Sequence, residues 1–196
     1  MRISGILLAA GAGSRFGGRK LIKPLSDGTP IGVAALRNLR DAIERVIVVI
    51  RSGDAEMAAR FAREGVPILE CRQAAEGMGH SLAAGVAAES SADGWVIALG
   101  DMPRVRPNTI RAVAQSLAAG AAIVIPCYRE ERGHPVAFAS TFKEELLALS
   151  GDAGARAIVK RHAAEVVRLD LDDPGVLEDV DTLDDLVRLT SATDRV

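Results

Sequence analysis

The 196-residue chain predicts an α/β fold on a mostly parallel sheet, and three observations carry this expectation. Its apolar runs are short and nearly unbroken, as in Ile3–Ala9 and Val46–Ile50, which is how strands covered on both faces read. Between them lie stretches with apolar residues at helical spacing, so strand and helix alternate. The polar excursion Tyr128–His134, flanked by apolar runs, predicts one hairpin-like departure from that alternation.

Taken in order, Ile3–Ala9 is the first strand, and it breaks into Ala10-Gly11-Ala12-Gly13-Ser14-Arg15-Phe16-Gly17-Gly18-Arg19-Lys20. Residues 30 to 42 place Ile31, Ala34, Ala35 and Leu39 near helical spacing, with Arg37, Arg40 and Asp41 on the other side. Residues 45 to 50 form a second strand, 54 to 64 a short helix stopping at Gly65, and 66 to 70 a third strand. The loop Arg72–His80 opens a helix expected from about Ser81, with Gly77 and Gly79 just before its start. A fourth strand, Trp95–Leu99, runs into Gly100-Asp101-Met102-Pro103. A helix follows from Pro107 to Ala119, beginning on proline and ending at Gly120. Residues 121 to 126 and 135 to 139 are strands on either side of the polar excursion. Thr141 and Glu144 read as a capping box, Asp152 as the N-cap of a helix to about His162, residues 166 to 171 as the last strand, and Thr182 as the start of the last helix. Without a repeat, low-complexity tract or linker, residues 1–196 read as one domain.

The loop after the first strand carries the strongest chemical signal. Glycines bring backbone N–H groups close to an anion, and Arg15, Arg19 and Lys20 add charge, so a strand followed by this loop reads as a phosphate site. It is no P-loop, because Lys20 is followed by Leu21 rather than Ser or Thr. It is a poor dinucleotide fingerprint, because Phe16 stands where the third glycine belongs and Gly17 misses it by one place, Pro24 forbids a long helix, and the second strand ends Ile50-Arg51 without a ribose-binding acid. Asp101, at the carboxyl end of a strand, faces the crevice where open α/β sheets bind ligands; a single carboxylate beside phosphates suffices for Mg²⁺. As local chemistry it is equally a turn residue before Pro103.

Composition closes other routes. A net charge of -2 with 3% aromatics gives neither a general attraction to nucleic acid or anionic membrane nor a stacking platform for single strands. Cys71 and Cys127 are isolated from each other and from histidine, so they read as buried thiols rather than zinc ligands or a disulfide. No run approaches a membrane span and no leader precedes the first strand, which makes a cytoplasmic protein the expectation.

Leu8-Ala9-Ala10-Gly11, three further residues, Arg15-Phe16-Gly17, two more and Lys20 resemble the motif of the nucleotidyltransferases that make sugar nucleotides and nucleotide forms of the molybdenum cofactor, with Phe16 where Met is usual. The resemblance extends in order through Gly77-Met78-Gly79-His80-Ser81, Asp101-Met102-Pro103, Gly133-His134-Pro135, Gly151–Arg156 and Asp179–Leu186. It implies a three-layer Rossmann-like nucleotidyltransferase fold. It also implies that Arg15, Lys20 and Asp101 are catalytic, and that Leu8, Ala9, Ala10, Gly11, Ala12, Gly13, Ser14, Gly77, Met78, Gly79 and Ser81 bind nucleotide. Gly133, His134, Pro135, Asp152 and Arg156 would bind the acceptor, and Asp101 and Asp181 would bind Mg²⁺. The implied reaction moves CMP from CTP to a phosphorylated acceptor such as molybdopterin, releasing pyrophosphate, with a molybdoenzyme or cofactor-handling protein as partner. Ala10 favours the cytidylyl branch over the guanylyl branch, which has glycine there. A guanylyltransferase, a sugar-phosphate nucleotidyltransferase and a non-catalytic nucleotide-binding module remain as alternatives.

Overall fold

Every expected strand is present in a computed structural model that describes residues 1–11, 19–152 and 154–191, the last two by backbone alone. The strands β1 (Ile3–Ala9), β2 (Arg45–Arg51), β3 (Ile68–Cys71) and β4 (Gly94–Leu99) are mutually parallel in the order β3-β2-β1-β4. Beyond β4 the sheet continues with β7 (Val136–Ala139), which runs antiparallel to β4 and to β5 (Ile123–Tyr128). On the far edge of β5, β8 (Val166–Asp170) pairs in parallel. The hairpin departure is real. A two-residue turn at Arg129 and Glu130, both at positive φ, returns the chain along β5 as β6 (Glu131–Arg132) before β7 begins.

Helices α1 (Ile31–Ala42), α2 (Ala55–Ala62) and α4 (Pro107–Ala118) cover one face of the sheet, and α3 (Met78–Ala88), α5 (Lys143–Leu147) and α6 (Arg156–Arg161) cover the other. The division follows the strand period of two. Leu7 and Ala9 pack with Leu36, Phe61 and Ile110, whereas Ile6 and Leu8 pack with Leu82, Val86 and Ile158. Helix α7 (Leu183–Ser191) adds Leu189 to the first face. This is the expected three-layer architecture, with the sheet buried on both sides.

Three local expectations need correction. Helix α3 begins at Met78, not Ser81, because Gly79 N–H finds a carbonyl outside the helix, at Gly151 O 2.8 Å away. Asp152 is not the cap of α6: that helix starts four residues later, after Ala155, without a side-chain cap. Nor do Thr141 and Glu144 form a capping box; a short 3₁₀ turn at Ser140–Phe142 leads directly into α5, again without one. At α7 the reciprocal cap does form, with Thr182 N–H donating to Asp185 at 2.8 Å and Asp185 N–H donating to Thr182 Oγ1 at 3.2 Å. Both cysteines are free and buried. Among the described residues no helix is long and apolar enough to cross a membrane.

Candidate active site

The chain leaves β1 toward β2 and β3 on one side and returns to β4 on the other. That reversal opens a crevice at the carboxyl ends of β1 and β4. Four segments meet there. Ala10 and Gly11 continue from β1; a 3₁₀ turn, Lys20–Ile22, is pinned by buried Leu21. Asp101 follows β4, whose ladder extends through Gly100 N–H to Leu8 O at 2.9 Å. The fourth segment, residues 173 to 181, comes from beyond β8 and is fixed against the Asp101 loop at several points. Buried Asp173 accepts from Arg106 N–H at 2.9 Å and Thr109 Oγ1 at 2.6 Å. Gly175 lies so close that an added Cβ would fall 2.3 Å from Arg104 O, and Val180 N–H donates to Asp101 O at 2.9 Å.

These constraints bring Lys20, Asp101 and Asp181 together. Lys20 Nζ donates to Asp101 Oδ2 at 2.8 Å and to Asp181 Oδ1 at 2.9 Å, with its side chain 10% exposed. Burial works against the ammonium, yet the charge and hydrogen bond of Asp101, then those of Asp181, outweigh it and raise the Lys20 pKa above its ordinary value. Asp179 reports the same negative field: desolvation and then the charges of Asp181 and Asp101 push its carboxyl up. Two carboxylates already converging on one cation are hard oxygen donors of the kind that hold Mg²⁺ or Mn²⁺ together with phosphate oxygens and water. Among the described residues no three His, Cys, Asp or Glu side chains form a complete protein cage. The donor set therefore fits a metal shared with substrate.

Two cavities flank this centre. The smaller, about 120 Å³ as described, is lined by Ala10, Gly11, Lys20, Ala74, Ser81 and Asp101. The larger, about 490 Å³, has an apolar floor including Leu82, Ile97, Ile125 and Phe138, with Arg132, His134, Asp152 and Arg156 also in its lining. Leu8, Met78 and Leu99 line both. His134 is held by its N–H to Val176 O at 3.0 Å; burial lowers its pKa against the pull of Asp101, so the ring is neutral at pH 7. Its Nδ1 is buried without a hydrogen-bond partner among the described residues.

Residues 5–166 match the model of the MobA-like NTP transferase domain. The chain belongs to the MobA-like NTP transferase family. As a member it is a nucleotidyltransferase. It is similar, at 33% identity over 94% of this chain and 95% of the other, to the purine catabolism protein PucB of Bacillus subtilis. A Paenarthrobacter nicotinovorans protein named nicotine blue oxidoreductase is 32% identical, over 95% and 96% of the two chains. Among solved structures, Rv0371c of Mycobacterium tuberculosis superposes with a TM-score of 0.85 at 31% identity, covering 97% of this chain and 98% of the other. The same mycobacterial protein is also known in complex with manganese, at a TM-score of 0.81 and 31% identity over 98% of this chain and 100% of the other.

Within this family member, Leu8, Ala10, Gly11, Lys20, Met78, Ser81 and Asp101 of the expected residues meet at the smaller cleft, with Asp181 joined to them through Lys20. Gly133, His134, Asp152 and Arg156 meet in the larger cavity. Ala9 does not face the cleft: the alternation of β1 turns its side chain into the α1 side of the core. Pro135 lines a separate small cavity behind His134. Gly77 and Gly79 are glycines for packing, since a Cβ on either would fall 2.2 Å from Gly151 C or 2.7 Å from Ser150 O. Ala12, Gly13, Ser14 and Arg15 lie outside the described residues. Sequence reasoning passed over Asp179, whose signal was its two-residue spacing from Asp181. It also passed over Arg132 and the apolar floor, which only the placement of β7 between β4 and β5 brings to the cavity.

Proposed function

We propose that residues 1–196 act as one nucleotidyltransferase domain that moves CMP from CTP to a phosphorylated small molecule, molybdopterin or a close relative, and releases pyrophosphate. The observation that carries this reading is the Lys20 ammonium held between Asp101 and Asp181 at the crevice where the two cavities meet. The acceptor phosphate is already ionised at neutral pH, so no general base is needed; alignment and charge neutralisation suffice. Lys20 supplies positive charge beside the triphosphate, and Arg15 is its expected companion. Asp101 and Asp181 are the residues to hold Mg²⁺ or Mn²⁺, which when bound offsets charge on the α-phosphoryl group and the departing pyrophosphate.

The CTP preference is supported by Ala10, whose buried methyl group narrows the smaller cleft where glycine would leave room for a purine. One methyl group discriminates by only about 1–3 kcal/mol, so Ala74 and Ser81 are the neighbours expected to contribute the rest. The product would pass to a molybdoenzyme or a cofactor-handling protein. The name of the Paenarthrobacter relative motivates one further arm in the test. The protein is incubated with each of the four triphosphates, Mg²⁺ or Mn²⁺, and molybdopterin, monitoring pyrophosphate, with NAD(P)H consumption followed in parallel. Pyrophosphate released with CTP foremost is the expected result. Guanylyl product predominating overturns the base assignment, and NAD(P)H oxidation without pyrophosphate overturns the whole reading.

A further inference from the structure

Met78 is the first residue of α3 and, among the described residues, one of the few exposed large apolar side chains, at 47%. Its backbone is fixed from both sides. Gly77 and Gly79 lie against Ser150 and Gly151, too close to admit a Cβ, and Gly79 N–H donates to Gly151 O at 2.8 Å. The start of α3 and the loop leading to Asp152 and Arg156 are thereby bolted together. Between the two pinned glycines the Met78 side chain projects along Gly154, whose Cβ, if present, would lie 3.4 Å from the thioether sulfur. From that position Met78 lines the smaller cleft beside Ser81 and Ala74 and the larger cavity beside Leu82 and Ala155.

An exposed methionine on a rigid backbone costs free energy to leave in water, and an unbranched thioether adapts to irregular or aromatic ligand surfaces. We propose that Met78 is the wall shared by the two substrates, packing on the nucleoside from one side and on the acceptor's organic body from the other. The inference rests on the nucleotidyltransferase reading above, in which Met78 is already expected at the nucleotide, and adds to it a direct contact of the same side chain with the acceptor. Whichever ligand binds first removes rotameric freedom that the second then need not remove, so each favours the other.

Methionine oxidation offers a readout independent of turnover. Met57 and Met102 are buried, at 3% and 5% exposure, whereas Met1, at 58%, lies at the opposite end of β1 from the crevice and serves as an internal control. Dilute peroxide with peptide mass analysis should show Met78 oxidising at least about three-fold more slowly with a non-hydrolysable CTP analogue and Mg²⁺. Molybdopterin should slow it further, and Met1 should be unchanged. Met78→Ala should raise KM for both CTP and molybdopterin by about three- to ten-fold with a smaller change in kcat, and Met78→Leu should restore most of both. Equal oxidation of Met78 with and without both ligands, or a KM increase for one substrate alone, overturns the shared wall while pyrophosphate release by the wild-type protein keeps the parent reading standing. Absence of pyrophosphate release removes both.

Discussion

Replacing Lys20 by methionine keeps most of the side-chain volume and deletes the charge that joins Asp101 to Asp181, so its effects separate electrostatics from packing. The Lys20 head group is almost fully enclosed, and its two hydrogen bonds, at 2.8 and 2.9 Å, are charge-assisted. Such bonds contribute about 1.5–3 kcal/mol each when shielded from water. The Asp181 side chain is 42% exposed, which brings that half down to the surface value of about 0.2–1 kcal/mol. Some of the gain is offset by the desolvation that burial imposes on the ammonium. A net loss of about 1–3 kcal/mol follows, a fall in Tm of about 2–12 °C for a chain of this size. Because the Lys20 pKa is raised, its contribution is fully present below the unfolded value of 10.5 and disappears as pH rises through the higher folded value. The variant's deficit is therefore constant across neutral pH and closes only in strong alkali. Divalent metal should narrow it too, since a cation held by the same carboxylates replaces the missing ammonium; at one hundred times its Kd a ligand adds about 2.7 kcal/mol. The assay is thermal and urea unfolding of both proteins with and without millimolar Mn²⁺, alongside turnover, which should fall by about a hundred-fold or more. A variant as stable as wild type, or one that metal stabilises no more than it stabilises wild type, would refute the account of Lys20 as counter-charge in a metal-accepting site.

Asp101→Asn should abolish most activity, and Asp181→Asn should reduce it less; retention of wild-type rate and metal dependence by the first would remove Asp101 from the metal. Gly79→Ala should destabilise the fold by about 1–3 kcal/mol and raise acceptor KM, because the new Cβ would fall 2.7 Å from the Ser150 carbonyl; in an unobstructed helix the same change stabilises by about 1 kcal/mol, so the sign in urea unfolding decides. Glu89, buried and bonded to Ser4 at 2.8 Å and to Arg45, is desolvated, yet these two partners depress its pKa. That stabilisation is present above the unfolded value of 4.5 and is lost as pH falls through the lower folded value. Glu89→Gln should accordingly cost about 1–3 kcal/mol at pH 7, with the difference from wild type shrinking in acid; a constant difference down to pH 3 would contradict the assignment.

The parts of the fold written in local pattern were legible in advance. Strand β1 was read to its end residues, because six of its seven positions are buried and only the small residues Ser4 and Gly5 break the apolar run. Helix α4 was likewise plain from Pro107 and the apolar stripe through Ile110, Val113 and Leu117. What escaped depends on partners distant in sequence. The start of α3 was misplaced because Gly79 is satisfied by Gly151, and Asp152 looked like a cap because nothing local reveals that α6 begins only at Arg156. The insertion of antiparallel β7 between β4 and β5, which supplies the floor of the larger cavity, cannot be read from periodicity. At the centre, Lys20 and Asp101 stood out as a cation and a carboxylate at strand ends. Resemblance was needed to choose Asp181 from its acidic run, and Asp179 was missed in it.

The fate of labelled phosphate shows whether this site directs attack on the α-phosphorus of a nucleoside triphosphate. Wild-type protein and Asp101→Asn are supplied with CTP labelled at either the α or the γ position, together with Mg²⁺ and molybdopterin. Transfer of the α label to the acceptor in equal amount with pyrophosphate, and its loss in the variant, is the predicted result. Transfer of the γ label, or label reaching the acceptor equally well without Asp101, would contradict it.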